Sequence, residues 1–174
     1  LKSSANHMDF IAEHFYCQTR PALMAHLRQI PGNIKRKADF HRRMREELPE
    51  LKGKDIKVAM TEWNYWYGPH VFGELGTRYF LKDALGIAAG IHEYSRQADI
   101  VFMANYAQTV NVIGAIKTSR TAAEMETTGL VLQLYRAHFG SVPLKLAGDF
   151  GPLDVSAALT ADGRALTVAV VNPT

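Results

Sequence analysis

The chain has 174 residues, of which 47% are hydrophobic and 21% charged, and its formal net charge is only +3. This composition is typical of a soluble globular protein, and the length allows one domain with a sizeable core. No apolar run approaches the roughly 18 residues that span a membrane, so we expect no membrane association. The single cysteine, Cys17, excludes an intrachain disulfide and favours a reducing compartment, so we expect a cytoplasmic protein rather than a secreted one.

Strands alternate with helices along the first 140 residues. The first predicted strand covers residues 8–16, and one of its faces begins apolar and turns polar towards the C-terminal end. That face carries Phe10, Ala12, His14 and Tyr16. A connection over residues 21–32, with room for a short helix, leads to the next element.

The first long helix is predicted from Asn33, as its N-cap, to about Leu48, and Pro49 stops it. Its outer side is basic and carries Lys35, Arg36, Lys37, Arg42, Arg43 and Arg45. Nucleic-acid binding is one interpretation, but neither aromatic residues nor glycines are interleaved with these charges, and nearby glutamates dilute them. We interpret the helix as a solvated outer helix and expect no nucleic-acid partner.

The most informative stretch is residues 57–68, with the sequence KVAMTEWNYWYG. Its alternating apolar residues predict a strand buried on both faces, and this strand ends in Glu62. Four aromatic residues lie among the next five positions, before a break at Gly68–Pro69. A carboxylate ringed by aromatic surfaces suits a sugar, because the rings cover C–H faces and the carboxylate meets a developing positive charge. The alternative is a strand end whose aromatic residues cap a core and whose Glu62 is merely solvated.

The pattern then repeats. A helix is predicted over residues 77–96, a strand over 99–106, and a loop containing Gln108 follows. A further helix is predicted over residues 122–139, with Met125, Leu130, Leu132, Leu134 and Tyr135 as its buried side chains and Gly140 as its C′ residue. Three strand–helix units in succession predict parallel strands with helical crossovers, and the polar ends of all three strands then lie on one rim.

The pattern changes after Pro143. Residues 153–160 and 165–172 read as two strands around a glycine-containing turn, the beginning of an antiparallel β domain. Three β/α units are about three-eighths of an eight-unit barrel. We therefore interpret the chain as a piece of a larger protein, with parts missing before residue 1 and after residue 174.

Five side chains come at or just past predicted strand ends on the common rim: His14, Tyr16, Glu62, Trp66 and Gln108. Glu62 is the candidate nucleophile or base, and His14 and Tyr16 are candidates to hydrogen-bond and orient it. Gln108 is suited to reading sugar hydroxyls, and Trp66 to stacking on a ring. Each of them has a purely structural alternative. The seven histidines show no metal-ligand spacing and there is no Gly-rich phosphate loop, so we expect neither a metal nor a cofactor.

These motifs resemble family 51 glycoside hydrolases, the α-L-arabinofuranosidases. Residues 61–67 (TEWNYWY) resemble the nucleophile strand of that family, residues 86–93 (GIAAGIHE) the helix after it, and residues 103–112 (MANYAQTVNV) the last barrel strand and its loop. Residues 13–16 (EHFY) are similar to the sixth strand. The resemblance covers nearly the whole chain in the family's order.

The resemblance implies a (β/α)8 TIM barrel joined to an antiparallel β-sandwich. This chain would supply the last three β/α units (residues 1–143) and the start of the sandwich (residues 144–174). It also implies homo-oligomers and a retaining enzyme that releases terminal arabinofuranose from arabinan, arabinoxylan or their oligosaccharides. Matched residue by residue, Glu62 is the nucleophile, Tyr16 and Gln108 bind substrate, and Trp66 forms a wall of the pocket. His14 matches a residue that contacts these side chains and not the substrate.

One departure from the family is decisive. The acid/base glutamate of the family, in a Gly-Asn-Glu motif on the fourth strand, has no counterpart, because the chain contains no Asn-Glu pair. A retaining hydrolase needs two carboxyl groups, and Glu13, Glu74 and Glu93 are poorly placed to be the second one. We therefore expect the acid/base outside this chain and no turnover by the chain alone. The alternatives are another retaining barrel glycosidase, such as a glucanase or xylanase, and a non-catalytic carbohydrate-binding remnant.

Overall fold

The computed structural model describes residues 2–68 and 76–174. After a 3-10 helix (Lys2–Ser4), the first half contains β1 (Phe10–Cys17), α1 (Leu23–Leu27), α2 (Gln29–Glu47), a 3-10 helix (Pro49–Leu51) and β2 (Lys57–Tyr65). The middle contains α3 (Leu81–Arg96), β3 (Val101–Tyr106), β4 (Ile116–Thr118), β5 (Ala123–Met125) and α4 (Thr127–His138). The last elements are β6 (Val142–Leu144), β7 (Asp154–Leu159) and β8 (Leu166–Val171). The break predicted at Gly68–Pro69 and the loop with Glu74 reach outside the described residues.

The first three strands form one parallel sheet in the order β1-β2-β3, as their alternation with helices predicts. One face of this sheet packs against α2 and α3 and holds the main core, with Met60, Trp63 and Tyr65 at most 2% exposed. The small residues of α3 permit the close approach. A Cβ on Gly86 would lie 2.0 Å from the Tyr65 hydroxyl, and one on Gly90 would lie 2.5 Å from Ile30 Cγ2.

The other face of the sheet is largely open. Phe10 on β1 and Phe102 on β3 are 44% and 64% exposed, and their ring centroids lie 4.8 Å apart. Ala59 of β2 is nevertheless only 4% exposed. The strand predicted to be buried on both faces is thus covered by helices on one side and by side chains of its neighbours on the other.

The start predicted for the first long helix is wrong. Helix α2 begins at Gln29, four residues before Asn33, and its first turn includes Pro31 and Gly32. Proline is tolerated in a first helical turn, because its missing N–H would have no partner there. Asn33 is not the N-cap; its side-chain amide donates to the carbonyl of Gln29 at 2.9 Å.

The helix predicted over residues 122–139 is also wrong at its start. Residues 123–125 form β5, which pairs antiparallel with β4, and α4 begins only at Thr127. The Ser119 hydroxyl accepts the backbone N–H of Ala122 at 3.1 Å and closes the turn between these strands. Three of the five side chains predicted to be buried are exposed: Met125 (44%), Leu130 (52%) and Leu134 (55%).

The hairpin predicted near the C-terminus is confirmed as β7 and β8, and Gly163 lies in its turn with a φ of +69°. A third strand, β6, pairs with β7 and was not predicted. It contains Pro143, which an edge strand tolerates because its nitrogen needs no partner. The second sheet therefore begins at Val142, inside the part assigned above to the barrel.

Gly140 does not have the conformation expected of a C′ glycine, because its φ is not among the positive values of the described chain. Its backbone N–H is held by the Thr167 hydroxyl at 2.8 Å. A Cβ at this position would lie 2.4 Å from the carbonyl oxygen of Leu159. Glycine is needed here because the chain passes close to β7.

A buried polar cluster joins the second sheet to α3 and α4. The fully buried ring of His92 donates from Nδ1 to the Asp154 carboxylate at 2.7 Å and accepts the Tyr135 hydroxyl at Nε2. Arg96 also bonds Asp154. Burial opposes ionisation of Asp154, but the bonds from His92 and Arg96 outweigh it and hold the pKa of Asp154 below its usual value. The charged carboxylate therefore stabilises the contact.

This cluster predicts an acid-sensitive contact. Because the folded-state pKa of Asp154 is depressed, its contribution is present above the unfolded pKa and is lost as the pH falls through the folded value. We expect Asp154→Asn to lower the thermal unfolding midpoint at pH 7 and to have a much smaller effect near pH 3. Asp149→Asn, at an exposed carboxylate of the preceding loop, is the control and should leave the midpoint unchanged at pH 7. An equal loss for Asp154→Asn at both pH values would contradict the prediction.

Candidate active site

The carboxylate of Glu62 lies on the open face of the sheet because β2 contains a bulge. Glu13 of β1 pairs with Met60, and the next residue, His14, pairs with Glu62, so Thr61 is an extra residue in β2. With regular alternation Glu62 would share the face of Met60 and point into the helical layer. The extra residue turns Glu62 to the opposite face, where it is exposed.

Tyr16 meets Glu62 on that face. Its hydroxyl donates a hydrogen bond of 2.6 Å to Glu62 Oε2, as the sequence analysis anticipated. Burial and the neighbouring Glu62 carboxylate together raise the pKa of Tyr16 well above its usual value. The phenol therefore stays protonated and remains a donor to Glu62. Such a bond fixes the orientation of the carboxylate.

Trp66 stands beside this pair. Its ring meets the Tyr16 ring edge-on, with 5.2 Å between centroids and an interplanar angle of 75°. Its backbone N–H donates to the Cys17 carbonyl at 2.8 Å, which ties the end of β2 to the end of β1. Tyr16, Glu62 and Trp66 thus form one contiguous surface at the C-terminal ends of two parallel strands.

His14 is the Cα partner of Glu62 in the strand register and is exposed. The predicted hydrogen bond between the two is not found; within residues 2–68 and 76–174 the His14 ring has no hydrogen bond. The preceding residue, Glu13, lies on the opposite face, where Lys37 and His41 bond its carboxylate. Glu13 is therefore poorly placed to be the second carboxyl group, as expected from the sequence.

Gln108 follows β3 and is exposed at the same end of the sheet. The loop begins where Ala107 N–H donates to the Trp63 carbonyl at 3.2 Å, and the Ala107–Gln108 peptide is cis. The side-chain amide of Gln108 has one long hydrogen bond, of 3.4 Å, to the Val110 carbonyl. Because this bond is weak, the amide can exchange it for a bond to a ligand hydroxyl at little cost in free energy.

The aromatic run after Glu62 divides between two environments. Trp63 and Tyr65 are buried against α3, whereas Trp66 and Tyr67 are partly exposed. The sequence pattern placed all of them around the carboxylate. Strand pleating sends alternate residues to opposite faces, so only part of the run borders Glu62.

A buried hydrogen-bond network around the first turn of α3 supports the end of β2. Asp83, in the first turn of α3, accepts hydrogen bonds from His26 Nε2 at 2.9 Å, the Tyr67 hydroxyl at 2.8 Å and the Phe80 N–H at 2.7 Å. His26 Nδ1 accepts the Arg20 N–H, so both ring nitrogens are occupied. His26 and Asp83 are 0% exposed and resemble a base with its orienting acid, but they cannot reach a substrate.

The sequence analysis gave no role to Asn64 and Tyr79. Asn64 is fully buried two residues after Glu62, and its amide nitrogen lies 2.5 Å from the Ala107 carbonyl oxygen and 2.8 Å from that of Ile113. The Tyr79 hydroxyl lies 2.9 Å from the same nitrogen. A polar residue inside an aromatic run at a strand end was a usable signal for Asn64; nothing in the sequence marked Tyr79.

A cleft of about 1120 Å³ lies away from Glu62, between the helical layer and residues 143–156. The described part of the chain contains no group of three or more metal-ligating side chains close enough to hold an ion. It also contains no helix long and apolar enough to cross a membrane.

The fold is that of the C-terminal region of an arabinofuranosidase. An α-L-arabinofuranosidase from Thermotoga maritima, solved with arabinose, superposes with a TM-score of 0.83 at 23% identity over 97% of this chain and 39% of that one. A family 51 enzyme from Thermotoga petrophila gives a TM-score of 0.81 at 23% identity over 98% of this chain and 39% of its own. At this identity the two structures establish the fold.

The sequence profile of the alpha-L-arabinofuranosidase C-terminal domain matches residues 61–170, and the chain belongs to that family. A probable α-L-arabinofuranosidase C from Aspergillus flavus is 33% identical over 137 residues, covering 66% of this chain and 27% of the relative. Its counterpart from Aspergillus niger is 34% identical over 135 residues, covering 66% and 26%. The chain therefore spans about a quarter of these relatives and about two-fifths of the solved structures. The resemblance noted in the sequence is confirmed.

Proposed function

We propose that the protein containing this chain is a retaining α-L-arabinofuranosidase and that Glu62 is its nucleophile. The observation that carries the proposal is the placement of Glu62 by the β2 bulge, on the open face and bonded to Tyr16. A nucleophilic carboxylate must be oriented and accessible, and the bond from Tyr16 and the open face supply these two conditions. The names of the relatives support arabinofuranosides as the substrate class.

The proposed reaction proceeds in two steps. Glu62 attacks C1 of a terminal arabinofuranosyl unit and forms a covalent glycosyl-enzyme, while a second carboxyl group protonates the leaving oxygen. That group then deprotonates the water that releases arabinose. Trp66 walls the pocket and Gln108 hydrogen-bonds a sugar hydroxyl. His14, facing Glu62 across the register, supports the site from β1.

The second carboxyl group comes from outside this chain, on the same polypeptide or on a partner. A retaining enzyme needs it about 5–5.5 Å from the nucleophile. Glu13 is held by Lys37 and His41 behind the sheet, and Glu93 is buried on α3 with Arg96 and Gln97. The remaining alternative from the sequence analysis, Glu74, lies outside the described residues. The chain alone therefore lacks half of the catalytic pair and does not turn over substrate.

The same proposal assigns each of the two larger sheets to a domain of the complete protein. The sheet β1-β2-β3 is the last part of a (β/α)8 barrel, and β6-β7-β8 begins a β-sandwich, with the division before Val142 rather than after residue 143. Phe10 and Phe102 would then face the barrel interior. Homo-oligomeric assembly and arabinan or arabinoxylan as the natural polymer belong to this proposal through the family resemblance, and a cytoplasmic location belongs to it through the single cysteine, Cys17.

The test is covalent labelling of the complete protein with a mechanism-based arabinofuranosyl inactivator. We expect one label per active site, on the peptide that contains Glu62, since only the nucleophile forms the glycosyl-enzyme. Prior incubation with arabinose should slow the labelling. A label on another carboxylate would reject the assignment of Glu62. Labelling only by glucosyl or xylosyl inactivators would favour another retaining glycosidase, and binding of sugars without labelling would favour a carbohydrate-binding remnant.

A further inference from the structure

We propose that the buried pair Asn64–Tyr79 positions Gln108 against Glu62, so that both are positioning residues for sugar recognition. The inference rests on the proposed function, because it assumes that Gln108 contacts the substrate. The pair lies between the strand that carries Glu62 and the loop that carries Gln108. Neither residue reaches the open face, since Asn64 is 0% exposed and Tyr79 2%.

The first support is the placement of the amide of Asn64. Its nitrogen faces the carbonyl oxygens of Ala107 and Ile113, which can only accept, so the N–H groups of the amide point at the loop. Its oxygen accepts the N–H of Tyr65 at 2.7 Å, which binds the same side chain to β2. One side chain thus connects the strand two residues beyond Glu62 with the residue directly before Gln108.

Tyr79 completes the connection. Its hydroxyl donates to the Tyr65 carbonyl at 2.7 Å and lies 3.1 Å from the Ile113 carbonyl, besides its contact with Asn64. The hydroxyl therefore lies between the strand and the loop, and its single proton is shared between a carbonyl of each. Removing it would leave the link from β2 to the Ile113 carbonyl to Asn64.

The loop itself needs such support. Asn111 and Val112 both have positive φ, +55° and +47°, a conformation that is unfavourable for a β-branched residue such as Val112. The loop is held at this point because the Val112 carbonyl accepts the Thr77 N–H at 2.9 Å and Lys117 Nζ at 2.7 Å. A backbone of this kind persists only where its surroundings determine it, and Asn64 and Tyr79 contact the carbonyl of Ile113, the residue directly after Val112.

The test is a double-mutant cycle in the complete protein, with kcat/KM for an aryl α-L-arabinofuranoside as the readout. Tyr79→Phe keeps the ring and removes only the hydroxyl, and we expect a loss of about 5- to 10-fold, as for one hydrogen bond. If Tyr79 acts through Gln108, then adding Tyr79→Phe to Gln108→Ala should lower kcat/KM further by less than about two-fold. If Tyr79 had only a general structural role, Tyr79→Phe would lower kcat/KM by the same factor in both backgrounds, and this result would overturn the proposal.

A milder variant and a matched control accompany the cycle. Lys117→Met removes the bond to the Val112 carbonyl from a partly buried side chain, so we expect a smaller loss that also disappears with Gln108→Ala. If Tyr79→Phe does not fold, Lys117→Met takes its place in the cycle. Tyr94→Phe removes a buried hydroxyl that has no hydrogen-bond partner among the described residues, and it should leave kcat/KM unchanged in both backgrounds. A loss with Tyr94→Phe matching that with Tyr79→Phe would count against the proposal.

The result separates this inference from the proposed function. If Glu62 is labelled but Gln108→Ala leaves kcat/KM unchanged, Gln108 recognises no substrate group; the inference then fails and the nucleophile stands. If Glu62 is not labelled, the proposed function fails whatever the cycle gives. Loss of activity by Tyr79→Phe that vanishes with Gln108→Ala supports the inference.

Discussion

Replacing Glu62 by alanine in the complete protein is expected to lower kcat/KM for an aryl α-L-arabinofuranoside by roughly 10⁴- to 10⁶-fold, the scale seen when a nucleophile is removed. The loss follows because no other described side chain presents a carboxylate on the open face beside Tyr16 and Trp66. The measurement is initial-rate kinetics with a substrate whose leaving group needs little protonation. Such a substrate isolates the attack on C1 from the work of the second carboxyl group.

A small anion supplies a sharper test of the same residue. Azide can occupy the space vacated in Glu62→Ala and attack C1 from the side the carboxylate used. Rescue should therefore yield an arabinosyl azide of inverted configuration, because only one of the two displacements of a retaining reaction then takes place. A rescued product that retains the α-configuration would contradict the role of Glu62.

The control for Glu62 is the neighbouring glutamate of β1. Glu13→Gln removes a carboxylate close to the site in the sequence but held behind the sheet by Lys37 and His41. We expect kcat/KM to stay within a few-fold of the wild-type value, with a modest loss of stability. A loss as large as that of Glu62→Ala would mean that the face assignments of the two residues are wrong.

Replacing Asp83 by alanine is expected to give the largest loss of stability, about 3–5 kcal/mol, the usual cost of breaking a buried hydrogen-bonded ionic network by removing one partner. The substitution leaves donors from His26, Tyr67 and Phe80 without their acceptor, in a region where His26 is 0% exposed. The measurement is the unfolding midpoint of the complete protein, in heat and in urea. Asp83 is also in the first turn of α3, where a negative charge favours the helix.

Asp39→Ala is the matched control for Asp83. Asp39 is an exposed carboxylate of α2 that pairs with Lys35 and Arg42. Exposed pairs of this kind contribute less than about 1 kcal/mol, so the midpoint should barely move. Similar losses for the two variants would show that the network under β2 adds no more than a surface ion pair.

The general plan of this protein was readable from its sequence because it depends on local periodicity. Alternating apolar residues marked β2, and the glycine turn marked the hairpin of β7 and β8. The wrongly predicted helix starts lie where two local sequence signals favour different structures. Pro31 and Gly32 read as a break although a first helical turn accepts both, and residues 123–125 read as helix although a turn at Ser119 pairs them with β4.

The candidate site divides in the same way. That a buried strand carries Glu62, and that the chain holds no Asn-Glu pair, followed from the residues alone, but β2 does not end at Glu62 and continues to Tyr65. The contact of Tyr16 with Glu62 was anticipated from their shared position at strand ends. By contrast, the predicted hydrogen bond between His14 and Glu62 is not formed, and the roles of Asn64 and Tyr79 depend on partners more than ten residues away.

The sequence by itself determined the alternation of strands and helices, the family, and the strand that carries Glu62, because each is recorded in neighbouring residues. Only the tertiary structure decided which way Glu62 points. A strand's own pattern assigns Glu62 to the face of Met60, and one extra residue in the pairing with β1 reverses that assignment. The reversal arises between two strands separated by a long helix, and a bulge is defined only once both are paired.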